Sequence, residues 1–145
     1  MSDTVKAIVD AVQARVLTIS GWRLSRVHPL AFAAATAADT RPIAHLGFAV
    51  HAPSSSMRQE RQRIAEGALT TTTVTVQFAV RIRPDATSED VDAAYTHEAT
   101  MIAAVLALTT SLHIHLESCA RAMAGEASYS IHTVTFTVLH LFALT

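Results

Sequence analysis

Two imidazoles two residues apart are the first chemistry the chain offers. His113-Ile114-His115 puts both rings on one face of a strand, because side chains return to a face every second residue. Neutral imidazole is a zinc ligand, and Glu117, the next residue on that face, is a further donor of the kind a metal site needs. The competing reading is a solvent-facing polar stripe on a half-exposed strand. The remaining histidines, His28, His45, His51, His97, His132 and His140, form no H-E-x-x-H pair. His97-Glu98 falls in the middle of an expected helix, where a structural role is the simpler account.

Nucleophile signals are sparse. Ser54-Ser55-Ser56 reads as a turn, and no G-x-S-x-G elbow occurs. Cys119, the single cysteine, falls in an expected loop near Arg121 and His115. A nearby cation would lower its pKa, but no partner base is identifiable. The 4 glycines are isolated, so there is no phosphate-cradling loop or dinucleotide fingerprint. Glu89, Asp90 and Asp92 stand where a helix start attracts acids, so a paired-carboxylate site is not needed to explain them.

Arg58, Arg61 and Arg63, together with Arg81 and Arg83, suggest a local positive cluster able to meet phosphates. No aromatic side chains interleave it for base stacking. Glu60 and Glu66 sit among the arginines, a mixture that suits ion pairs across a protein interface.

The elements that would carry these residues follow from periodicity. Val5, Ile8, Val9, Val12 and Val16 make one helical stripe, with Ser2 or Asp3 as cap and Ser20-Gly21 as the stop. Between Trp22 and Arg41, His28-Pro29 excludes a helical residue at His28, and Ala33–Ala38 is a loop or a helical turn. Ile43–His51 alternates as a strand, and Ala52-Pro53-Ser54-Ser55-Ser56 ends it. Met57–Gly67 is a charged loop or a short surface helix. Thr70–Arg83 is the clearest strand: Val74, Val76, Phe78, Val80 and Ile82 face a core, opposite a polar, threonine-rich face.

Thr87-Ser88-Glu89-Asp90 then caps a helix with a stripe of Val91, Ala94, Tyr95, Met101, Ile102, Val105 and Leu106. Leu112–Glu117 alternates again. Ser128–Leu144 is a long strand whose end, Leu139, His140, Leu141 and Phe142, leaves neither face polar and so requires cover on both. The expected architecture is α+β: a mainly antiparallel sheet with two helices on one face, in a single domain spanning 1–145.

Composition sets limits on function. The chain has 145 residues, 16% of them charged, and a formal net charge of -1. That charge balance excludes a generally basic nucleic-acid binder, and the single cysteine excludes a disulfide framework within the chain. No apolar run approaches the ~20 residues of a membrane helix. Asp3, Lys6, Asp10 and Arg15 leave no apolar signal-peptide core in the first 16 residues, so an intracellular protein is expected. Few charges on so small a domain suggest that another chain covers part of its surface.

This layout resembles the tail terminator proteins of long-tailed bacteriophages. The resemblance rests on the amphipathic helix Thr4–Leu17, Gly21-Trp22, the strand Ile43–His51, the arginine-rich loop Ser54–Leu69, the threonine-rich strand Thr70–Arg83, the helix Ser88–Leu108 and the closing strands. It implies a ring-forming virion subunit with no cofactor, six copies to a ring. The ring would sit on the head-proximal end of the tail tube, stop tube growth and offer a docking surface to a neck or head-completion protein. DNA would pass through the lumen without sequence-specific contact, and no membrane is involved.

Neck and head-completion proteins share this layout and are the alternative station. The expected interface residues are Arg58, Glu60, Arg61, Arg63, Arg81, Arg83, Leu139, Leu141 and Phe142. A rival of another class is a metal-binding module or enzyme using His113, His115 and Glu117. That pattern is similar to cupin metal sites, where the glutamate stands farther along and glycines flank the histidines. A third is a small-ligand-binding domain with a pocket between sheet and helix.

Overall fold

A computed structural model describes residues 2–25, 45–57, 63–64, 67–110, 112–124 and 128–143. The expected α+β architecture is present, with two helices on one face of a mostly antiparallel sheet. The strands are β1 (Ser2–Asp3), β2 (Arg23–Leu24), β3 (Gly47–Met57), β4 (Arg63–Ile64), β5 (Gly67–Arg81), β6 (His113–Ala124) and β7 (Tyr129–Ala143). The helices are α1 (Val5–Leu17) and α2 (Thr87–Leu106), the latter followed by a 3-10 turn at Ala107–Thr110.

β5 and β7 form the antiparallel centre, paired along their full 15 residues from Gly67↔Ala143 to Arg81↔Tyr129. β3 borders β5 and β6 borders β7. The short strands extend these edges: β1 runs parallel to Leu141–Phe142, β2 parallel to Gly47–Phe48, and β4 antiparallel to Gly67–Ala68.

The core lies between this sheet and the helices. Val74, Val76, Phe78 and Val80 of β5 are buried beside Val134, Phe136 and Val138 of β7 and Phe48 and Val50 of β3. Ile8, Val12 and Val16 of α1 and Ala94, Met101 and Val105 of α2 close over them. Trp22 fills the corner beside Phe48 and Phe78, with ring centroids 6.1 and 4.7 Å away. The Arg15 Nε–H donates to the Ala104 carbonyl at 2.8 Å and ties α1 to α2.

Several sequence-based boundaries shift, each for a physical reason. The cap of α1 is Thr4, whose hydroxyl accepts from the Ala7 N–H, because Ser2 and Asp3 are drawn into β1. Ala52-Pro53 does not end β3. It falls at a bulge between His51 and Ser54, where proline's missing N–H costs no ladder bond, and the strand continues to Met57. The expected loop Ser54–Leu69 is therefore partly strand, in β3, β4 and the start of β5.

β5 stops at Arg81. Arg83 lies beyond it, held by Asp90. Ala86 occupies the cap position of α2 with no side-chain cap bond; the Thr87 hydroxyl instead donates to the carbonyls of Arg83 and Pro84. Cys119 is in β6, which runs on to Ala124, so the loop expected at Cys119 is strand. His28, Pro29, Ala33–Ala38, Arg58, Glu60 and Arg61 lie outside the described residues.

Candidate functional site

Three places on this frame combine chemistry with position. The first is β6. It pairs with β7 on one side and, among the described residues, with no strand on the other. Its side chains are largely exposed, including Leu116 at 42% and Met123 at 49%. A strand of 12 residues with a bare row of N–H and C=O groups is a template for another chain unless charge, proline or a bulge blunts it. β6 carries neither lysine nor proline; its two charges are Glu117, at its one bulge, and Arg121, which turns inward to Glu98.

That bulge bears on the metal expectation. Leu116 pairs with Phe136 and Ser118 with Thr135, so Glu117 is the extra residue and Ser118 takes the register position after His115. His113, His115 and Glu117 are all exposed, and among the described residues no group of three ligating side chains is gathered for a metal.

The second place is the face of the sheet opposite the helices. Thr71, Thr73 and Thr75 on β5 stand beside Leu139, Thr137 and Thr135 on β7, and Gln77 donates to the Thr133 hydroxyl at 3.0 Å. Of the apolar strand end, Leu139 is half-buried on this face, while Leu141 and Phe142 sit where β1 joins β7.

The expected arginine cluster is divided. Arg63 pairs with Ala68 at one end of β5, whereas Arg81 ends that strand at the other, roughly 40 Å away along the chain at ~3.3 Å per residue. Thus Arg63 cannot share a patch with Arg81 and Arg83. Arg83 is paired with Asp90 at 3.0 Å, and both arginines are exposed.

The third place is a buried polar chain that the sequence reading missed. Glu98 of α2 is 5% exposed and His132 of β7 is fully buried. His132 Nδ1 lies 2.5 Å from Glu98 Oε2, and its Nε2 lies 2.8 Å from the Ser130 hydroxyl. Arg121 of β6 grips the same carboxylate, with Nε 2.8 Å from Oε2 and Nη2 2.5 Å from Oε1. The guanidinium also lies 5.5 Å from the centre of the Tyr95 ring. His132 stacks on Phe78 at 4.8 Å.

Burial pushes the Glu98 carboxyl up, but the hydrogen bonds from Arg121 and His132 outweigh it and hold the pKa below the ordinary value. Burial lowers the pKa of His132 against the pull of Glu98. A neutral ring fits both contacts: Nδ1–H donates to Glu98 and Nε2 accepts from Ser130.

Serine, histidine and carboxylate in this order are the parts of a nucleophile relay. Their surroundings suit a structural role instead. A nucleophile must reach its substrate, and Ser130 is 7% exposed while His132 has no exposed surface. Glu98 is also already committed to Arg121. The chain of bonds fastens α2 to β6 and β7. Cys119 adjoins it, and burial followed by the Glu98 charge raises its thiol pKa, opposite to the direction expected from Arg121 alone.

No protein-family model matches the chain, and no curated protein matches it in sequence. No helix among the described residues is long and apolar enough to cross a membrane.

Proposed function

We propose that the chain is a structural virion subunit that closes into a ring, six copies around, and caps the head-proximal end of a bacteriophage tail tube. The carrying observation is the outer edge of β6, 12 residues long, with Leu116 and Met123 exposed beside it. Such an edge is stabilised when a second chain supplies hydrogen bonds and covers the apolar side chains. A head-to-tail contact that closes by rotation gives a ring. The α+β layout, with its threonine-rich sheet face, supports the resemblance to tail terminators drawn from the sequence.

In this role the protein works by stoichiometric blocking. One face of the ring fits the last tube ring. The other refuses a further one and receives the neck or head-completion protein, leaving a lumen through which DNA passes without sequence-specific contact. Adding the protein to polymerising tube subunits tests it. Electron microscopy should show tubes capped at one end by about one ring each, and length should fall with the amount added. Growth unaffected by the protein, or stopped by catalytic amounts, overturns the proposal. Rings that bind the head vertex and ignore tube ends assign it to the neck or head-completion station.

A further inference from the structure

Where the end of β5 meets the first half of α2 lies a cavity of about 400 Å³, a volume within the range of small-molecule sites. Its polar lining comes from His45, Arg81, Arg83, Asp90 and His97, and its apolar wall from Val80 and Ala93. We propose that this cavity binds a phosphate monoester of mononucleotide size, a property separate from ring formation.

The charges are unequal. Asp90 is fully engaged: it accepts from the Arg83 backbone N–H at 2.7 Å and from the Arg83 guanidinium at 3.1 and 3.0 Å. Asp85 and Glu89 also lie close enough to Arg83 to raise its pKa. Arg81 lines the cavity, makes no side-chain hydrogen bond or ion pair with any described residue, and lies close enough for its charge to act on the His45 ring. Guanidinium is well suited to phosphate because its planar fork matches two oxygens at once.

His45 is placed for the same task by unusual backbone. Leu46, a non-glycine residue, has φ +58°, a left-handed conformation that a bulky side chain rarely adopts. It is held there by bonds from Leu46 N–H to the Ala79 carbonyl at 2.7 Å and from Arg23 N–H to the Leu46 carbonyl at 3.1 Å. The preceding His45 then accepts the Arg81 backbone N–H on Nδ1 at 3.1 Å. The proton of the neutral ring is therefore on Nε2, which makes that nitrogen a donor. The His97 ring meets His45 edge-on at 5.9 Å and lines the same cavity. Strain of this kind persists only where surrounding contacts enforce it, and here it presents a donor near the Arg81 guanidinium. Val80 and Ala93 leave room for the organic part of the ester.

The test is a titration of the folded full-length chain with inorganic phosphate, deoxyadenosine monophosphate and adenosine. It is followed through the ring resonances of His45 and His97. The monophosphate should saturate with a Kd of roughly millimolar or tighter and shift both rings. Inorganic phosphate binding as tightly would make the site one for free phosphate. Binding about tenfold weaker would show that the ester's body is held as well. Arg81→Gln should weaken the monophosphate about tenfold or more, while Lys6→Ala, which removes an equal charge from a distant exposed ion pair, should not. Ala93→Leu, on the exposed side of α2, should block binding by filling the cavity, which keeps the test valid if Arg81→Gln fails to fold. Adenosine binding as well as its phosphate, equal losses in Arg81→Gln and Lys6→Ala, or no saturable shift overturns the proposal.

Discussion

His132 Nδ1 and Glu98 Oε2 stand 2.5 Å apart although 34 residues separate them in the chain, and this contact joins α2 to the centre of the sheet. The pair is dry on the histidine side and open on the other, where Arg121 reaches in from β6. Removing the carboxylate therefore leaves a buried imidazole N–H without its acceptor and frees Arg121. Glu98→Ala should cost about 1–3 kcal/mol of unfolding free energy, the usual penalty for one buried donor left unsatisfied. Glu98→Gln, which keeps an acceptor, should cost less. Urea denaturation of the three proteins measures this, and equal stability of all three would show that the contact contributes nothing.

Burial of the same pair sets a pH dependence. The pKa of His132 is lowered by burial from an ordinary value of 6.5, so the unfolded chain binds its proton more readily than the folded one. Stability from this group is full above pH 6.5 and is lost as the pH falls through the lowered value. Glu98, lowered from 4.5, adds a second loss that begins only below that pH. Between pH 6.5 and 4.5 the wild type should thus lose stability with a slope of up to ~1.4 kcal/mol per pH unit from His132. His132→Gln should flatten this part of the curve. Parallel curves for the two proteins would remove His132 from the account.

What the sequence made legible, and what it hid, turns on this same helix. The alternation in β5 and the valine stripe of α1 predict their buried faces directly, because burial follows a fixed period in each. For α2 the period was present but read through hydrophobicity alone, which placed Tyr95 in the stripe. The structure puts Tyr95 51% exposed and Glu98 inside, in line with Ala94, Met101 and Val105. A carboxylate at an i, i+4, i+7 position was the available signal, and Ser130-x-His132 on one strand face was its partner. The cavity was harder to foresee. It depends on Leu46 adopting a positive φ and on strand ends meeting a helix, neither of which leaves a periodic mark. The split of the arginines follows from β5 being a single long strand, which carries Arg63 and Arg81 to opposite ends.

Cys119 should be a slow thiol. Burial and the Glu98 carboxylate both disfavour the thiolate, and Arg121, already paired with Glu98, offsets them only in part. At pH 7.5–8 its rate with iodoacetamide should be below that of a free cysteine, whose pKa is about 8.5. Glu98→Gln should raise that rate by removing the adjacent negative charge. A wild-type rate above that of free cysteine would show that Arg121 dominates instead.

The edge of β6 gives the most direct check on assembly. Leu116 and Met123 are exposed, so a charge at either position costs the subunit little of its own stability. In a ring that buries this edge, the same charge is driven into an apolar contact or set against a neighbouring strand, the means by which natural sheets refuse edge pairing. Leu116→Lys with Met123→Lys should therefore leave the thermal midpoint of the isolated subunit nearly unchanged while abolishing the ring, measured by light scattering with tube ends present as template. Reversing Arg58, Arg61 and Arg63 to glutamate tests the charged segment separately. Exposed ion pairs contribute only ~0–1 kcal/mol each, so that variant should shift partner choice and salt dependence more than ring stability. If the double lysine variant assembles as the wild type does, β6 is not the subunit interface. If it fails to fold, the edge is part of the monomer's own core.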